Sequence, residues 1–110
     1  MAEEKKKSLG MDENIAGLLC YVAGWISGLV FFLLEKENKF VRFHALQSIY
    51  TFLGLTVAMF VMGFIPIIGA FVNFLLSLAG LIAWITGMIK AYEKEMYKFP
   101  IVGDIVSNQL

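Results

Sequence analysis

From residue 45 to residue 89 the chain carries no Asp, Glu, Lys or Arg. As one helix this run would be about 67 Å long at 1.5 Å per residue. A bilayer's hydrocarbon core is about 30 Å thick, and about 20 helical residues cross it. The run is two membrane thicknesses long and must fold back. The reversal is legible at Gly63, Pro66 and Gly69, within MGFIPIIGAF. Pro66 lacks a backbone donor and disfavours helix at the residue before it, and the glycines permit a tight reversal. The spacing predicts two membrane helices, about 45–64 and 68–89, hinged at Pro66.

A second uncharged run, 14–34, is one span long. A signal peptide would have a shorter apolar core, about 7–15 residues, and a small-residue cleavage site. Here the run ends in FFLLEKE, so a retained helix is expected. The predicted fold is therefore all-α and integral to a membrane, with three transmembrane helices. The domain would be 14–105, between a polar tail at 1–13 and a short tail at 106–110. Composition agrees: 59% of the 110 residues are hydrophobic and 16% charged, against about 25% charged in soluble domains. That disfavours a soluble enzyme or a disordered regulator. Nine basic residues balance nine acidic ones, so nothing points to nucleic acid.

Beyond residue 89, Ile89, Tyr92, Met96 and Phe99 recur at helical spacing, with Lys90, Lys94 and Lys98 on another face. This predicts an amphipathic continuation of the third helix at the lipid surface, stopped by Pro100 and Gly103. The lysines would reach lipid phosphates. Cytoplasmic loops are rich in Lys and Arg. Lys36, Lys39, Arg42 and the three C-terminal lysines share a side in a three-span protein, which predicts N-out, C-in. Lys5, Lys6 and Lys7 in the N-tail oppose that orientation.

Helices in lipid pack through small residues. Ala16, Cys20, Gly24 and Gly28 lie four apart on the first helix, and Ala79, Ala83 and Gly87 repeat the spacing on the third. They predict an intramolecular bundle or a homo-oligomer. Trp25 falls in mid-span, where it would pack inside the bundle or line a cavity. His44, Gln47, Ser48 and Thr51 follow at i, i+3, i+4 and i+7 behind Arg42, and Asn73 is the amide of the third helix. They form a candidate polar face for a partner. Such a face alternatively satisfies itself and the first turn of the helix.

One histidine and one cysteine are too few for a metal site, and no cofactor motif is present. No ionisable residue lies inside a span, as an ion-coupled pump would need. A His44/Ser48 pair is a weak candidate for intramembrane catalysis, and a non-enzymatic protein is expected.

FVRFHALQSI at 40–49, the preceding GLLCYVAGWISGLVFFLLEKENK and the ending AYEKEMYKFPIVGDI resemble the Tic20-like family of small multipass membrane proteins, also grouped as DUF4870. The resemblance spans roughly residues 14–105 and implies a helical protein of a prokaryotic cytoplasmic membrane, within a protein-handling complex. One internal repeat stands beside it: Ile65-Pro66-Ile67-Ile68-Gly69 and Phe99-Pro100-Ile101-Val102-Gly103 share Pro-Ile-(Ile/Val)-Gly.

Three functions remain open. A helical scaffold or assistant subunit would tolerate Gln47→Leu and fail with Gly24→Leu or Gly28→Leu. An oligomeric pore or translocation component would need the His44/Gln47/Thr51 face. A lipid-binding or lipid-modifying protein would use Arg42, His44 and the C-terminal lysines, and would lose anionic-lipid retention with Lys94→Glu and Lys98→Glu. The expected partners are membrane lipids, other membrane proteins or further copies of the chain.

Overall fold

A computed structural model describes residues 7–109; residues 1–6 and Leu110 lie outside that description, and with them the tail charges Glu3, Glu4, Lys5 and Lys6. The tail expected at 1–13 is in part ordered. Strands β1 (Lys7–Ser8) and β2 (Met11–Asp12) pair antiparallel. Both loop residues between them, Leu9 and Gly10, have positive φ, as a two-residue hairpin turn demands.

The uncharged run 14–34 is not one helix. It is α1 (Glu13–Val22) and α2 (Trp25–Leu34), of ten residues each. Each is about 15 Å long, half of a bilayer core. The break is Gly24, with φ 65° and ψ −140°, a conformation closed to residues with a Cβ. The expected single first helix is thereby replaced by two short ones, and Gly24 and Gly28 do not share one helix.

The expected 35–44 loop shrinks to 35–38. Asn38 caps α3 (Lys39–Ser48) by accepting a hydrogen bond from the Val41 N–H at 3.1 Å. A π segment (Ile49–Leu53) joins α3 to α4 (Gly54–Met62). Together they form one rod, Lys39–Met62, of 24 residues. After the turn at 63–67 comes α5 (Ile68–Tyr92), of 25 residues. Among the described residues these two helices are long and apolar enough to cross a membrane. Their hairpin agrees with the sequence reading.

Neighbours define the path of α1 and α2. On α1, a Cβ at Gly17 would meet Phe40 and Ala91, and the Tyr21 ring lies 5.5 Å from that of His44. At the break, the Gly24 carbonyl accepts from Ser48. α1 therefore ascends beside α3 and the end of α5. α2 returns: Gly28 faces Ala45 and Ser48, and the Glu35 carbonyl accepts from Arg42 at 2.7 Å. The two ends of the run meet, because Asn38 Nδ2 donates to Glu13 Oε1 at 3.1 Å. Asn14 Nδ2 donates to the Tyr92 carbonyl at 3.1 Å. The start of α1, the 35–38 loop and the end of α5 therefore share one end of the molecule.

The predicted amphipathic continuation of α5 is absent. The helix ends at Tyr92, Lys94 has φ 66°, and a non-helical strap (93–101) leads to α6 (Val102–Ser107). The Ile89/Tyr92/Met96/Phe99 stripe and the basic row are thus not helical faces. Residue 106 is not in a free tail, since Val106 is fully buried against Phe43 and Leu46.

The repeated Pro-Ile motif is a repeated structure. Ile67 and Ile101 have φ 63° and 69°. In each case the next amide reaches back to the proline carbonyl at 2.7 Å, Ile68 to Pro66 and Val102 to Pro100. These are γ-turns of the rare positive-φ kind, and each starts a helix. Gly69 and Gly103 follow them because a Cβ there would strike Met62 or Lys98.

Candidate functional site

α3 carries the polar residues of the base inward. His44, Gln47 and Ser48 are fully buried, as is Tyr21 on α1. Their hydrogen bonds run in one consistent direction. The Glu95 carbonyl, 2.7 Å from His44 Nε2, can only accept, so Nε2 carries the proton. His44 Nδ1 then accepts from the Tyr21 hydroxyl at 2.7 Å. Tyr21 Oη in turn accepts from Gln47 Nε2 at 3.1 Å. Gln47 also donates to the Tyr97 carbonyl at 2.9 Å and accepts from the Phe99 N–H at 2.8 Å. Its amide thus grips two alternate residues of the strap as a neighbouring strand would. The candidate partner face is covered by the chain's own C-terminal segment.

The helix break is also supplied with partners. Breaking a helix frees carbonyls that lipid cannot satisfy. Tyr21's carbonyl accepts from Trp84 Nε1 at 2.7 Å, and Cys20's from Ser27 Oγ at 3.0 Å. Gly24's accepts from Ser48 Oγ at 2.9 Å. Ser48 is therefore bonded to the break, not to His44, and the suggested dyad does not form. Arg42 closes the other end of α2. It donates to the Glu35 and Phe32 carbonyls, and its guanidinium lies 4.1 Å from the Phe32 ring centroid.

Thr51 and Asn73 stand apart from this network. Thr51 lines an apolar cavity of about 640 Å³ between α4, α5 and the strap. Its hydroxyl is buried with no hydrogen-bond partner among the described residues. Asn73 lies farther along α5, and its Nδ2 donates to the Met59 carbonyl at 3.1 Å.

The small residues divide in the same way. Ala16 and Cys20 are fully buried. A Cβ at Gly28 would lie 2.9 Å from the Ala45 carbonyl oxygen, and one at Gly87 would lie 2.6 Å from the Tyr21 ring. Ala83 packs at the edge of the core, whereas Ala79 is exposed beside the cavity. Trp25 lines a second cavity of about 540 Å³ beneath the break. Lys90 pairs with Glu95 at 3.3 Å and Lys98 with Asp104 at 3.6 Å, so two of the three supposed lipid-surface lysines face acids of their own chain. Sequence reasoning missed Gly17, Tyr21 and Trp84. Tyr21 carried a signal, being a phenol in a stripe of small residues.

Known proteins place this arrangement. The chain is 54% identical over 98 residues to a UPF0132 membrane protein of Methanocaldococcus jannaschii, covering 89% of this chain and 70% of that one. A second UPF0132 membrane protein of the same organism is 53% identical, with 91% and 90% covered. One from Archaeoglobus fulgidus is 45% identical, with 91% and 97% covered. No solved structure matches. The Tic20-like resemblance is overturned: the family model that fits residues 6–106 is MamF/MmsF, described as the magnetosome magnetite crystal formation protein family. The chain is a small helical membrane protein and belongs to the MamF/MmsF family.

Proposed function

We propose that this protein is a non-enzymatic membrane scaffold. Its base satisfies its own polar groups, and its bare α4–α5 hairpin is offered to the bilayer and its components. The observation that carries this is the Asn38–Glu13 bond, which closes the run 14–34 into a re-entrant hairpin. The chain then crosses the membrane twice, by Lys39–Met62 and Ile68–Tyr92. Strand β1, the 35–38 loop and the end of α5 then lie on one side, in place of the N-out, C-in expectation. In this arrangement Lys36, Lys39, Arg42, Lys90 and Lys94 gather at the base of the molecule. The positive-inside rule makes that end cytoplasmic.

The scaffold reading also follows from the occupied polar face. Both ring nitrogens of His44 and both amide ends of Gln47 already have partners within the chain. His44 is bonded to a backbone carbonyl and a phenol, neither of which is a paired nucleophile and acid of the kind a catalytic histidine uses. The proposed role calls for no iron ligand. Among the described residues no three His, Cys, Asp or Glu side chains are grouped to hold a metal ion. The contribution we assign is to the membrane, not to mineral contact.

The test is photo-crosslinking in native membranes from Phe60, Phe71 and Phe74 on the hairpin, with Ile26 and Leu33 on α2 as comparison. Capture of other membrane proteins from the hairpin alone supports the scaffold. Equal capture from both regions, or from neither, overturns it. Gln47→Leu no longer separates scaffold from pore, because it releases the strap whichever function holds.

A further inference from the structure

Helices are unevenly distributed along the membrane normal. The break between α1 and α2 meets α5 at Trp84, whose Nε1 donates to the Tyr21 carbonyl. From there to Tyr92 is about 12 Å of helix, and the sixteen residues Ile68–Ala83 extend about 24 Å further. Along those 24 Å the rod Lys39–Met62 runs beside α5, as in Leu55 against Gly80 and Met59 bonded to Asn73, while the strap and Trp25 line clefts on it no nearer the hairpin turn than Leu76. The molecule is 55 Å long and only 23 × 22 Å across, so both levels stand in one column. One leaflet meets four helices (α1, α2, α3 and the end of α5), with the strap and α6 beside them. The other leaflet meets two. With a helix diameter of about 10 Å, the surplus is on the order of 200 Å² of cross-section in one leaflet.

We infer that the protein is a wedge whose preferred partner is a curved lipid surface, convex on the side of the base. The inference rests on the two-span, re-entrant topology proposed above. An inclusion that occupies more area in one leaflet relieves lateral pressure where that leaflet is stretched. Apolar side chains are exposed on the thin half, among them Phe60, Val61, Phe71, Phe74 and Leu78, so acyl chains can surround it. The cleft beneath the break, lined by Trp25, Leu55, Met59 and Leu81, lets lipid tails close in under the re-entrant tip.

The experiment uses the full chain, fluorescently labelled and reconstituted into giant vesicles from which a narrow membrane tether is pulled. In the same preparation, single cysteines at Ser8, Glu37 and Ile67, in a Cys20→Ser background, are labelled with an impermeant reagent. Labels at 8 and 37 from one side and at 67 from the other, with severalfold enrichment or depletion in the tether according to orientation, is the expected result. The same labelling pattern with equal density on tether and vesicle overturns the wedge and leaves the topology standing. Labels at 8 and 37 from opposite sides overturn the topology and the wedge with it. Efficient self-crosslinking at Leu81→Cys without curvature sorting shows a second copy filling the thin half, and also overturns it.

Discussion

The rod Lys39–Met62 belongs to two regions with opposite habits. Between residues 40 and 48 every residue except Arg42 is buried, whereas between 49 and 86 Gly69 alone is. Hydrophobicity does not explain the contrast, since the buried stretch is the less apolar of the two. Irregular backbone does. The base contains a broken helix and a non-helical strap, whose free N–H and C=O groups need partners that lipid cannot provide. Tyr21, Ser27, His44, Gln47, Ser48 and Trp84 supply or organise those partners. In the hairpin the long helices satisfy their own backbones, and neighbours are optional there. Packing has gathered where the main chain departs from a helix.

Substitutions can break or sharpen this contrast. The largest effect is expected from Gly87→Val, whose Cβ would sit 2.6–2.9 Å from the Tyr21 ring. Overpacking of this kind costs about 3 kcal/mol or more. Thermal unfolding in mild detergent should show it, while Gly80→Val, near the flexible tip of Leu55, should cost under about 1 kcal/mol. Equal losses would erase the distinction between the regions. Gln47→Leu comes next. It orphans the Tyr97 carbonyl and the Phe99 N–H, at about 2–3 kcal/mol, and limited proteolysis should cut faster at Lys94 and Lys98. Asn73→Leu removes one bond in the hairpin and should cost about 0.6 kcal/mol. Trp84→Phe leaves the Tyr21 carbonyl with the Gly24 N–H but without the indole, at about 1 kcal/mol, read as faster amide exchange in residues 21–28. Phe60→Ala on the bare face should shift stability by less than about 0.5 kcal/mol. A larger loss would show the hairpin depending on contacts of its own.

The sequence carried the hairpin well, because two charge-free spans around Gly63, Pro66 and Gly69 leave few alternatives. It hid the break at Gly24. Twenty uncharged residues have the same hydropathy whether they cross a membrane or turn back within it. The one local mark was Gly24, which fitted a small-residue packing row equally well. Trp25 in mid-span was the clue, since it stands next to the break. Helical spacing gathered His44, Gln47 and Ser48 on one face correctly. Their partners lie 23 to 52 positions away in the chain, beyond what local periodicity can show. The same long-range bonds override the helical spacing of Met96 and Phe99. The Pro-Ile-(Ile/Val)-Gly repeat could be seen as a repeat, but its strained γ-turn could not.

His44 and Gln47 hold the strap by main-chain atoms of residues 95, 97 and 99. A grip on the main chain is blind to what the side chains are. Phe99, which is buried, Val102, which packs on the core, and Gly103, which abuts Lys98, are tied to their identity by shape. The exposed side chains of residues 93 to 98 are under no such fit. This small membrane protein can thus change the text it displays at the water's edge, by drift or by design, without renegotiating its fold.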